Sequence, residues 1–184
     1  TGRQYCRDAN PSVQRRCVRN CGLNIGDNML QPIKGAVNRK FRPSSYRQND
    51  NLAKETIIRC LENKGHTLVT REEDYSFDIT STRNGATYYS EVEMKNQWNG
   101  DWNPSWKEIR IPYRKHKLLN KFKALDAAKS FLHFYVLRGD CEYTWRISSD
   151  LLARSEVKEA KGFRIENGEY FFHVPYTEAE LLKL

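Results

Sequence analysis

The chain has 184 residues, 39% of them apolar, enough to bury one sizeable core in a single domain with appendages. Its formal net charge of +8 favours a polyanionic partner. No run approaches the roughly 18 apolar residues of a membrane span, and no signal-peptide pattern opens the sequence given.

Five cysteines without framework spacing argue for a reducing, intracellular compartment. The charge is unevenly spread. Residues 1–50 hold ten Lys/Arg and three acids, so +7 of the total lies there and the rest is nearly neutral. A basic arm over residues 1–50, carrying Arg15, Arg16, Arg19, Arg39 and Lys40, on a domain over residues 51–184 fits nucleic-acid binding. The plainer alternative is a merely solvated arm.

Asn10-Pro11 predicts a helix that runs to about Asn20 or Cys21 and stops at Gly22. Cys6, Cys17 and Cys21 have no fourth ligand nearby and no zinc-knuckle spacing, so small buried side chains are the better reading. Residues 31–50 mix Pro, Gly, Ser and positive charge, the composition of a surface linker. Asp50 or Asn51 then caps a helix to Lys64, with Gly65 as its left-handed stop. Ile57, Ile58, Leu61 and the stem of Lys54 form its buried stripe, and Glu55 sits at the stripe's edge. A short strand, His66 to Arg71, follows.

Tyr75 to Lys95 reads as two strands joined at Asn84-Gly85, the strongest short hairpin signal. On the first strand Ser76, Asp78 and Thr80 share one face, and Tyr75, Phe77 and Ile79 share the other. On the second, Tyr89, Glu91, Glu93 and Lys95 share a face. A two-residue turn pairs Arg83 with Ala86, which sets Asp78 opposite Glu91 and diagonal to Glu93. Like charges so placed repel. A divalent cation among them removes the conflict, since a hard ion such as Mg²⁺ takes one or two carboxylates, keeps several waters and leaves room for a phosphate. The pattern points to a metal-dependent phosphodiester site.

Residues 96–107 form a loop by composition yet hold Trp98, Trp102 and Trp106, which either stack on bases or lid the core. Ile109 to Ile111 is extended, and Pro112 opens a helix to about Lys123. Its Leu118, Leu119 and Phe122 face inward, while Arg114, Lys115, Lys117, Lys121 and Lys123, with Arg110 just before, supply a positive surface. Ser130 to Leu137, apolar on both faces, is a central strand whose His133 reads as a core histidine. A partner strand from Tyr143 to Ile147, a helix from about Ser149 to Arg154, and a hairpin through Asn167-Gly168 come next. The capping box Thr177-Glu178-Ala179-Glu180 predicts a last helix.

Helix, three strands, helix, strand, with Glu55 on the first helix, Asp78 on the second strand and Glu93-Met94-Lys95 on the third, resembles the core of the PD-(D/E)XK nuclease superfamily. The resemblance covers residues 51–137, about half the chain. The tripeptide alone carries little, since Glu-x-Lys recurs at Glu62 to Lys64 and Glu156 to Lys158; only Glu93 to Lys95 has the paired aspartate strand before it. Phe77 stands where the pattern has proline, and Glu91 is an additional carboxylate. The implied fold is α/β, a restriction-endonuclease-like αβββαβ core with a mixed central sheet flanked by helices, plus the basic helical N-terminal arm.

The implied activity is a Mg²⁺-dependent endonuclease, Mn²⁺ substituting, that hydrolyses duplex or branched DNA as a homo-oligomer, in the cytoplasm or at the nucleoid. By that resemblance Asp78 and Glu93 hold the metal with the Met94 carbonyl, Glu91 replaces or assists Glu93, Lys95 orients the attacking water, and Glu55 reaches the metal through water. Arg110, Arg114, Lys115, Lys117 and the basic arm hold the phosphate backbone. A non-catalytic nucleic-acid-binding module on the same fold and a nuclease acting on RNA are the alternative readings.

Overall fold

Asn84 and Gly85 adopt left-handed conformations, φ 52° and 72°, the geometry that a two-residue hairpin turn requires. They join β2 (Ile79–Arg83) to β3 (Ala86–Lys95), with Arg83 opposite Ala86 as the sequence predicts. The structure is a computed structural model that describes residues 29–37, 43–70, 77–125, 127–161, 165 and 167–184. Arg15, Arg16, Arg19, Arg39, Lys40, the helix expected from Pro11, and Cys6, Cys17 and Cys21 lie outside the described residues.

Strand β1 (Thr67–Thr70) pairs antiparallel with β2, and β5 (Ser130–Arg138) pairs parallel with β3 from Thr87 opposite Ser130 to Lys95 opposite Arg138. Strands β6 (Tyr143–Ser148) and β9 (Glu180–Lys183) complete a mixed six-stranded sheet in the order β1-β2-β3-β5-β6-β9. A second sheet holds β4 (Glu108–Pro112), β8 (Tyr170–Pro175) and β7 (Glu156–Glu159), in the order β4-β8-β7. The class is therefore α/β.

One face of the large sheet is covered by α1 (Pro43–Asn63), which buries Ala53, Ile57, Ile58 and Leu61 against Ile79, Val92, Tyr135 and Leu137. Gly65, at φ 80°, ends the helical segment as expected. The opposite face meets α2 (His116–Ala124), α3 (Ser149–Arg154) and the second sheet, through Leu119, Leu132, Phe134, Val136, Ile147, Leu152 and Phe172. β5 is thus covered on both sides, which accounts for its unbroken apolar run. Parallel pairing of β3 with β5 needs a long crossover, and the tryptophan loop, β4 and α2 supply it.

Four local expectations give way, wholly or in part. First, α1 begins at Pro43, so the boundary expected between residues 50 and 51 falls inside a helix. Second, residues 29–37, which overlap the expected surface linker, do lie on the surface but are tied to the domain by hydrogen bonds. Leu30 exchanges two hydrogen bonds with the Asn120 side chain (2.9 and 2.8 Å), the Tyr113 hydroxyl donates to the Gln31 carbonyl (2.7 Å), and Val37 N–H donates to Gly168 (2.9 Å). Third, Phe77 and Ile79 do not share a face: Phe77 packs on Tyr89 with ring centroids 4.6 Å apart, whereas Ile79 packs under α1. Asp78 lies in a bend between them, where strand alternation fails. Fourth, the capping box at Thr177 starts no helix. A 3₁₀ turn, Tyr176–Glu178, leads into β9, whose pairing with β6 satisfies its backbone and packs Leu182 on the α1 side. A local cap signal cannot outweigh a sheet edge already in place.

Ile57 is wholly buried between α1 and the sheet. Ile57→Ala is expected to cost about 2–5 kcal/mol of stability, read as a lower urea midpoint at unchanged m value.

Candidate active site

The bend before β2 turns the Asp78 carboxylate along the edge of β3. Its Oδ2 accepts the Val92 N–H at 2.8 Å, and its Oδ1 lies 3.0 Å from Lys54 Nζ. Lys54 also meets Asp50, one helical turn earlier, at 2.8 Å. Burial works against the Lys54 charge, yet the Asp50 hydrogen bond and the Asp78 charge outweigh it and hold the ammonium above its ordinary range. The contribution of α1 to the site is therefore Lys54 and Asp50. Glu55, expected there, is exposed. Successive residues on a helix diverge by about 100°, and the face that carries Lys54 and Asp50 is the one turned towards Asp78.

Glu91 is 7% exposed and forms an ion pair with Lys115. Lys115 belongs to a 3₁₀ turn, Tyr113–Lys115, between β4 and α2, and does not join the positive surface expected of this region. A buried carboxylate needs a partner, and the turn delivers the ammonium inward. Arg110, Arg114 and Lys117 are exposed as expected.

Glu93 and Lys95, one and two strand repeats beyond Glu91, are half-buried. Burial pushes the Glu93 carboxyl above its ordinary range; Arg114 and Lys95 oppose this, and the charges of Glu169 and Asp78 add to it. Burial likewise lowers Lys95, opposed by Glu93 and assisted by Arg110. The Lys95 ammonium sits over the rings of Trp106 and Trp102, 5.2 and 5.9 Å from their centroids. The tryptophans are thus wall, not free stacking surface. Trp98 is buried beside Trp145, its indole N–H donating to Gly100 (3.1 Å), and Trp102 donates to the Trp106 carbonyl (2.8 Å).

Among the described residues, no three carboxylate, imidazole or thiol groups are gathered as a ready-made cation cage. Glu91, tied to Lys115, stands apart from the expected ligand set. The remaining donors do suit a hard divalent ion. Val92 turns its N–H to Asp78, so by strand alternation the Met94 carbonyl faces the same edge of β3, beyond the start of β2. Two carboxylates and one main-chain oxygen are the donor types Mg²⁺ takes while keeping its waters, and an ion there would displace Lys54 from Asp78 Oδ1. The residues that sequence reasoning passed over are Lys54, Asp50 and Glu169. The Asp50–Lys54 spacing was visible, but that Lys54 reaches Asp78 depends on how α1 crosses the sheet.

Compared with known proteins, the chain matches no protein-family model and no curated relative.

Two outcomes follow from the electrostatics. Below the ordinary carboxyl value of 4.5, Glu93 is protonated whether the chain is folded or not. As pH rises through that value towards the raised folded one, the unfolded chain releases its proton first and the fold loses stability. Glu93→Gln is therefore expected to stabilise the metal-free protein, with a gain absent at about pH 4 and growing towards neutrality in urea melts. Lys115→Met leaves the Glu91 charge buried and alone. It is expected to cost about 3–5 kcal/mol, largely recovered by adding Glu91→Gln, as a double-mutant cycle would measure.

Proposed function

We propose that this chain is a metal-dependent endonuclease of the PD-(D/E)XK type, hydrolysing phosphodiester bonds in DNA. The observation that carries the reading is the joint setting of Asp78, Glu93 and Lys95 at the end of the β2–β3 pair remote from the Asn84-Gly85 turn, with Lys95 beside Glu93 and exposed Arg110 and Arg114 near them. The element order α1-β1-β2-β3-β4-α2-β5, in which β4 belongs to the second sheet and β3 and β5 are parallel neighbours in the first, supports it further.

In this reading Asp78 and Glu93, with the Met94 carbonyl, hold a divalent cation, Mg²⁺ or Mn²⁺, which when bound supplies Lewis acidity to the scissile phosphate and lowers the pKa of water. Lys95 donates a hydrogen bond to the attacking water or to a phosphate oxygen, and its depressed pKa eases exchange of a proton there. Water oxygen bonds to phosphorus, the P–O3′ bond breaks, and the products carry 5′-phosphate and 3′-hydroxyl ends. Trp102 and Trp106 fix the Lys95 ammonium from behind. Arg110, Arg114 and Lys117 hold backbone phosphates without reading sequence.

One observation favours a second reading. Asp78 and Glu91 are each matched by a lysine of the chain itself, as they would be in a nucleic-acid-binding module that performs no chemistry.

Plasmid DNA with Mg²⁺ or Mn²⁺ separates the two. Asp78→Ala and Lys95→Ala are each expected to slow cleavage by about 10²-fold or more while the circular dichroism spectrum stays that of the wild type. If the wild type cuts neither DNA nor RNA, and the variants bind as it does, the binding module is the function.

A further inference from the structure

Among the described residues, α1 does not cover its face of the large sheet to the end. Helix α1 stops at Asn63, and beyond it the strands present aromatic rings in a row. Tyr88 on β3 and Phe131 on β5 are direct neighbours in the parallel ladder, with ring centroids 5.1 Å apart and planes 22° from parallel. His133, two residues along β5, stands 6.5 Å from Phe131 with its ring only 2° from parallel to it. His66 closes the row with its edge on Tyr88 at 4.6 Å. Phe131 is 45% exposed, a large apolar ring facing water.

Cations frame these rings. A cavity of about 120 Å³ opens beside them, and Lys64, Arg83 and Arg146 contribute to its wall. Among the described residues the wall contains no carboxylate, although Glu180 pairs with Arg146 from outside it. Its volume equals roughly four water molecules, space for one phosphate group. Both histidines report the local field. Burial first, then Arg83 and Lys64, lowers His66; burial first, then Arg146, lowers His133 to about 4, with Glu180 opposing. An anion placed there would relieve this repulsion.

We infer that this end of the sheet is a binding platform for a single-stranded polynucleotide, with bases stacked on Phe131 and Tyr88 and a phosphate held by Lys64, Arg83 and Arg146. Rings on neighbouring strands of an open sheet face are a sequence-tolerant stacking surface, because every base has a π-face. A second copy of this chain fits less well, because a two-fold contact would set the three cations against their own images. The platform lies apart from the carboxylates. Asp78 precedes β2 whereas Arg83 ends it, a separation of about 17 Å along the strand, and Glu93 and Lys95 occupy the other face of the sheet. The inference does not require the chemistry proposed for that site.

Binding of a fluorescent oligo(dT) to the full chain, measured by anisotropy in EDTA, tests it without cleavage. Phe131→Ala is expected to weaken oligo(dT) binding about tenfold and leave inorganic phosphate binding unchanged. Arg83→Ala is expected to weaken both. In NMR spectra of the wild type, the ring signals of His66 and His133 are expected to move on addition of oligo(dT). EDTA withholds the divalent cation that cleavage would need, so failure of the nuclease reading leaves this result standing. Both variants binding like the wild type, or histidine signals that stay put, would overturn the platform. So would a Phe131→Ala variant that changes oligomeric state instead of oligo(dT) affinity.

Discussion

Nine consecutive residues of β3 pair in parallel with β5, and the rest of the architecture follows from that ladder. Parallel neighbours cannot be joined by a tight turn. The chain between them must leave the sheet, cross one of its faces and return, and it does so through the tryptophan loop, β4 and α2. That excursion covers the face on which β3 carries Tyr89, Glu91, Glu93 and Lys95. Without it those groups would be ordinary solvated side chains on an open sheet. With it they are enclosed, and their charges must be balanced from within.

The balance is uneven along the strand. Glu91, the deepest, is paired by Lys115 from the crossover. Asp78 is held by Lys54 from the helix on the other side of the sheet and by a backbone N–H. Among the described residues, Glu93 has the charges of Arg114 and Lys95 in its favour, and Asp78 and Glu169 act against it. Stability alone would remove such a group. Its position beside a lysine of lowered pKa is the arrangement expected where a polar site is kept for binding a cation or a phosphate at some expense to the fold.

β3 serves two environments because its side chains alternate. The residues in register with Val92 pack beneath α1, and where α1 ends the same row continues as Tyr88 beside Phe131. Those in register with Glu93 face the crossover. Charged chemistry and aromatic surface therefore lie on opposite sides of one strand, near opposite ends of the hairpin. Both are bordered by cations.

The sequence by itself determined the elements whose causes are local. Asn84-Gly85 specified the hairpin and its register, because few other residue pairs tolerate two successive positive φ angles. The apolar run from Phe131 to Leu137 specified a strand buried on both faces, and Gly65 marked where the first helix stops. Those signals also put Asp78, Glu93 and Lys95 within reach of one another, since strand alternation and a known turn leave little freedom. Tertiary structure decided what lies outside that range. Lys115 turns inward because a buried glutamate awaits it, and nothing between Pro112 and Lys123 announces which lysine that will be. Lys54 rather than Glu55 meets Asp78 because of the angle at which α1 crosses the sheet. Phe77 and Ile79 part company at a bend that their alternation gave no sign of, and the residues after Thr177 become an edge strand because β6 presents an unpaired ladder. In each case the deciding partner is far away in sequence, and a buried charge or an open sheet edge outweighs the local preference.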